Sequence, residues 1–198
     1  MFMPRFLFAT CLIAVPVAIA AKDIILIQNP PVYQPEDSAS GVFIDNTAMP
    51  PFQRELRQQV QIGPDGEAYV LMSMMDGHGN VRTQLVFDPR TWHHKSSSKV
   101  GVKTITHTCS SNTLYPITIG KVYECASTMQ VNDRVLKSHS RVVFNEVERG
   151  GEGDIVGFCA VTVSDDGEMN IKTRTCFSPD GKWMRSMQIL KAVWIQKN

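Results

Sequence analysis

Four Asp-Gly dipeptides, Asp65-Gly66, Asp76-Gly77, Asp166-Gly167 and Asp180-Gly181, punctuate the chain between runs of apolar and polar residues. Both residues of Asp-Gly tolerate positive φ, which tight hairpin turns need, so each dipeptide favours a reversal between antiparallel strands. Asn132-Asp133 supplies a fifth turn and the glycine-rich stretch Arg149–Gly153 a sixth. Between the turns the sequence predicts strands at Ala68–Met75, Val81–Phe87, Val100–Cys109, Lys121–Val131, Arg134–Glu146, Asp154–Ser164, Met169–Phe177 and Lys182–Ile195. Short connections place sequence neighbours side by side. The expected fold class is all-β: an antiparallel meander of about eight strands, closed as a barrel or folded as a sandwich, with an N-terminal extended arm.

Residues 21–55 form that arm, ahead of a single β domain at residues 56–198. Pro30, Pro31, Pro35, Pro50 and Pro51 interrupt the arm, and proline removes a ladder donor, so its two apolar runs, Asp23–Ile27 and Gly41–Ile44, are expected on sheet edges. Phe52, Leu56 and Val60 recur every fourth residue, a spacing that suits a short helix or a strand.

Alternation assigns strand faces. Tyr123, Cys125, Ser127, Met129 and Val131 share one face, as do Leu136, Val142 and Phe144. By the same rule Ile155, Cys159, Val161 and Val163 form an apolar face expected to be buried. In the last strand Trp183, Met187, Ile189, Val193 and Ile195 share one face, with Leu190 and Trp194 on the other.

Residues 1–20 read as a secretory signal peptide. Arg5 precedes an apolar run, and Ala18-Ile19-Ala20 supplies the small residues expected near a cleavage site at Ala20. The run is shorter than the roughly 20 residues that span a bilayer. The expected location is therefore the periplasm or the extracellular space. Loss of this segment removes Arg5 and leaves 19 basic against 19 acidic residues. A neutral chain has no broad cationic field, which argues against nucleic acid as a partner. A membrane-spanning β-barrel is disfavoured by the cysteines, by the lack of aromatic girdles and by the polar Gln196-Lys197-Asn198 end.

Four cysteines remain after the leader, an even number that suits a disulfide framework in an exported chain. Cys159 and Cys176 lie about equally far from the turn at Asp165–Met169, and Cys109 and Cys125 flank the segment Asn112–Gly120. The predicted pairs are therefore Cys109–Cys125 and Cys159–Cys176, each adding roughly 3 kcal/mol for loops of this length.

No motif points to catalysis, a cofactor or a metal as the primary role. Gly-x-Ser-x-Gly and His-Glu-x-x-His are absent. The acids Glu146, Glu148, Glu152 and Asp154 surround a glycine turn, where a carboxylate pair could cut a glycosidic bond but a solvated turn is the simpler reading. Met72, Met74, Met75 and His78 carry the donors that hold Cu(I), yet methionines also fill cores. His107 and Cys109 share a strand face, although Cys109 is better used in a disulfide.

The function expected is a non-catalytic exported binding protein, of the inhibitor, immunity or envelope-assembly kind, whose partner is another protein or an envelope component. The alternatives are an enzyme acting on cell-envelope polymers and a periplasmic copper-binding protein. The candidate partner anchors are Trp92, His93 and His94 in one polar loop, and Leu114 and Tyr115 in another.

Overall fold

The computed structural model describes residues 24–97 and 102–194, all of it strand, turn and loop. The signal peptide expected at residues 1–20 lies outside the described residues. The strands are β1 (Ile25–Ile27), β2 (Ser38–Asp45), β3 (Phe52–Ile62), β4 (Ala68–Met75), β5 (Val81–Asp88), β6 (His93–Ser97), β7 (Val102–Cys109), β8 (Ile117–Thr118), β9 (Val122–Val131), β10 (Arg134–Arg149), β11 (Ile155–Asp165), β12 (Met169–Phe177) and β13 (Met184–Trp194).

The fold is all-β, with one large mixed sheet. Eleven strands run β6-β5-β4-β3-β2-β13-β12-β11-β10-β9-β7, while β1 and β8 form a separate two-stranded sheet. The hairpins expected from the Asp-Gly turns are present, and Gly66, Gly167 and Gly181 hold the positive φ those turns require. Two antiparallel meanders, β2–β6 and β9–β13 with β7, are joined by one parallel pairing, in which Ser186 of β13 faces Val42 of β2.

That pairing corrects the reading of the arm. β2 is not an edge strand; it lies between β3 and β13. The prolines flank residues 38–45 and none falls inside them, so the ladder keeps every donor. The ambiguous run at Phe52–Val60 is strand: four is a multiple of two, and Leu56, Gln58 and Val60 are buried while Arg57 and Gln59 are exposed.

The face assignment of β11 is also reversed. Phe158 and Ala160 are buried in the interior, and Val163 is exposed. Cys159 is buried on the opposite face, where Arg174 bridges Glu146 and Glu148, and Arg185 bonds Glu148 Oε2 at 2.7 Å. Small residues inside and a charged layer outside defeat a reading that equates apolar with inward.

The interior is packed with rings. Phe144 contacts Tyr123, Phe158 and Phe177 at centroid distances of 6.1, 5.8 and 6.2 Å. One end of the rolled sheet is capped by β1, β8 and the segment Ser110–Gly120, which buries Leu114, Tyr115 and Ile117. Tyr123 Oη lies 2.6 Å from the Leu114 carbonyl and holds the segment in place. The Tyr33 hydroxyl donates to the Lys182 carbonyl at 2.8 Å, its ring stands edge-on to Trp183, and Asp37 pairs with the Lys182 ammonium.

Lys182 holds the Asp37 carboxyl below its ordinary range, helped by the Gln34 N–H. A carboxylate depressed in the folded state stabilises above its unfolded pKa, about 4, and that contribution is lost as pH falls through the folded value. Asp37→Asn is therefore expected to flatten the acid limb of a Tm-versus-pH curve below about pH 4. An acid limb identical to wild type would show that this pair does not tie the arm down.

Candidate functional site

The two edges of the large sheet, β6 and β7, come together. The His93 ring stacks on His107 with centroids 4.8 Å apart. Among the described residues no ladder pair joins the two strands, so the sheet is rolled with an unpaired seam.

The turn before β6 sets the geometry. Asp88, buried at the end of β5, accepts from the Arg90 N–H at 2.9 Å and from its guanidinium at 3.1 Å. Its carbonyl accepts the Trp92 N–H at 2.6 Å. Trp92 is held at φ 52, a conformation that bulky residues rarely adopt, and its ring packs on Phe177 at 5.2 Å and Phe87 at 6.2 Å. A strained turn thus swings an aromatic inward.

Trp92 forms the floor of an interior cavity of about 240 Å³, together with Phe87, Leu114, Phe144, Phe177 and Met184. The walls carry hydroxyls: Thr91, Ser127, Ser140, Thr162, Ser164, Thr173 and Thr175. Thr162 and Thr173 face each other across β11 and β12. No Asp, Glu, Lys or Arg lines the cavity among the described residues. Trp92 Nε1 and Tyr115 Oη are buried, and among the described residues neither has a partner at full hydrogen-bond geometry, although the Trp92 N–H acts on the Tyr115 phenol. Burial pushes the Tyr115 phenol up to about 12.

Both predicted disulfides are formed, Cys109–Cys125 and Cys159–Cys176, each between residues directly opposite in register. They suit an oxidising compartment. No helix among the described residues is long and apolar enough to cross a membrane. His93 lies against the first disulfide, with Nε2 3.1 Å from Cys125 Sγ and Nδ1 3.3 Å from Cys109 Sγ. Burial, with His107 second, pushes the His93 imidazole down to about 4. Glu148 Oε1 lies 3.5 Å from Cys159 Sγ at the second disulfide.

The five predicted anchors fall in different places. Trp92 and His93 line the cavity from the seam, and Leu114 lines its floor. Leu114 and Tyr115 are core residues, not exposed anchors, because their segment folds over the end of the sheet. The His94 backbone pairs with Phe87 inside β6. Met72 and Met75 are buried, while His78 sits in an exposed turn. Glu146 and Glu148 are committed to arginines on the outer face.

The wall hydroxyls carry no motif, although alternation places Ser127 beside Cys125 and Ser140 beside Val142 on the interior face. A groove of about 620 Å³ crosses the outer face, lined in part by Glu124, His139, Arg141 and Asp165; its mixed charges are those of a solvated surface. No protein-family model matches the chain, and no curated protein or solved structure matches it.

Proposed function

We propose that the chain is an exported, non-catalytic binding protein whose rolled sheet holds a small neutral molecule with one apolar side and a few hydrogen-bonding groups. The cavity composition carries this reading: an aromatic floor, seven hydroxyl side chains and no carboxylate, ammonium or guanidinium among the lining residues described. Apolar surface supplies affinity, and a few placed polar groups supply orientation. At about 240 Å³ the space exceeds the roughly 150 Å³ that takes benzene. It falls just below the roughly 300–1,000 Å³ of drug-sized sites, so a ligand of one or two fused rings fits. In this reading the sheet works as an incomplete barrel, the leader at residues 1–20 directs export to the periplasm or beyond, and the ligand comes from that space. Exposed Leu136 and Trp194, near the β9–β10 and β11–β12 turns, favour entry of a partly apolar molecule at that end of the strands.

The test uses 2-naphthol, neutral and fluorescent, titrated into the chain. Saturable binding at one site per chain is expected. Thr173→Trp fills the cavity and is expected to weaken binding at least tenfold while leaving the circular dichroism spectrum of the sheet unchanged. Non-saturable uptake, or equal binding by the filled variant, overturns the reading.

A further inference from the structure

We propose that reduction of the Cys109–Cys125 disulfide turns the β6–β7 seam into a metal site, in which the two thiolates and His93 hold one thiophilic d¹⁰ cation such as Zn²⁺. The ligand atoms of His93, Cys109 and Cys125 all lie within 4.8 Å of one another. With Zn–S near 2.3 Å and Zn–N near 2.0 Å, tetrahedral ligands sit roughly 3.5–3.8 Å apart. The His93 nitrogens already stand 3.1 to 3.5 Å from the two sulfurs. Only the sulfurs must part, and side-chain rotation supplies that once their bond is gone.

Access separates this cysteine pair from the other. Cys109 is half-buried and lines a cleft of about 420 Å³ beside Lys95, Thr106 and Asn112, the side from which a reductant can approach, while its partner Cys125 is 5% exposed. Cys159 and Cys176 are 0% and 2% exposed beneath the Glu148–Arg174–Arg185 layer. Glu148, the third group near those sulfurs, is already spent on two guanidinium groups. Exposure governs which disulfide exchanges first.

The chemistry balances with a dithiol as the reductant. Its thiolate attacks one sulfur and breaks the Cys109–Cys125 bond, and its second thiol closes a disulfide within the reductant. Two electrons pass to the protein and leave two thiols. Zn²⁺ then displaces two protons from them. Three protein ligands leave a fourth position facing the cleft, the arrangement of sites that keep a place for water or an incoming donor.

The experiment uses the full chain in oxidised form and after dithiothreitol treatment with anaerobic desalting, titrated with Zn²⁺ alone against a chromophoric chelator. The oxidised chain is expected to bind no zinc at micromolar concentration, and the reduced chain one equivalent. Peptide mapping is expected to find the new thiols at Cys109 and Cys125, with Cys159–Cys176 intact. His93→Ala is expected to yield the same two thiols and to weaken zinc binding at least tenfold; Co²⁺ in the reduced wild type should show thiolate charge-transfer absorption. Zinc binding by the oxidised chain, none by the reduced chain, thiols at Cys159 and Cys176 instead, or unchanged affinity in His93→Ala overturns the proposal.

Discussion

Phe144→Ala is expected to destabilise the protein by roughly 3–5 kcal/mol, the range for a fully buried aromatic truncated in a core that cannot collapse around the hole. Phe144 is 1% exposed, and its ring touches those of Tyr123, Phe158 and Phe177. These partners come from three other strands, so no single strand can shift to refill the space. The loss also falls on the cavity floor, which Phe144 and Phe177 share with Trp92. Denaturant unfolding should show a lower midpoint with little change in slope. A loss under about 1 kcal/mol would mean that the rings repack, contrary to the close packing inferred for this core.

Gln58→Leu is expected to cost roughly 2–5 kcal/mol, although the new side chain is more hydrophobic than the old, because each buried backbone group left unpaired costs about 1–3 kcal/mol. Gln58 is fully buried, and its amide works as a borrowed piece of ladder. Its Nε2 donates to the Met184 carbonyl at 2.7 Å, and its Oε1 accepts the Met184 N–H at 3.0 Å. Met184 pairs with Phe177 of β12 on one side, but it lies just before the parallel β2–β13 register begins, so β2 leaves its other side to Gln58. Gly41 makes the junction possible, since a Cβ there would lie 2.5 Å from the Met184 oxygen. Gln58→Glu keeps both contacts only as the neutral acid, and when ionised it sets a buried charge against the Met184 carbonyl, so its stability should fall as pH rises above the carboxylate range. Equal stability of all three in thermal and urea unfolding would remove the amide from the account of the junction.

Local features of the fold were legible in the sequence. Ala68–Met75 and Met169–Phe177 are strands at the boundaries their turns predicted, and the cysteines pair across the two hairpin-like segments that set them opposite. What could not be read was non-local. The partner of β2 lies at the far end of the chain, and nothing in Gly41–Ile44 names it. The inward face of β11 was hidden because its inward residues include the small or polar Ala160, Thr162 and Ser164. The loop residues Trp92 and Leu114 stood out as aromatic and apolar groups in polar surroundings. Sequence polarity does not say whether such a loop reaches outward or folds over the end of a sheet, and here Asp88 and Tyr123 turn both inward.

The parallel pairing has a consequence for how the chain reaches its fold. In a growing or translocating chain the N-terminal meander emerges first, with β2 as its outer strand and an open row of amides along it. Its complement, Met184–Trp194, arrives only after the strands of the second meander that precede it. Until then the first half carries a sticky border that another copy could claim. Maturation of this protein should therefore be slow relative to a simple hairpin array, and limited by the arrival of β13.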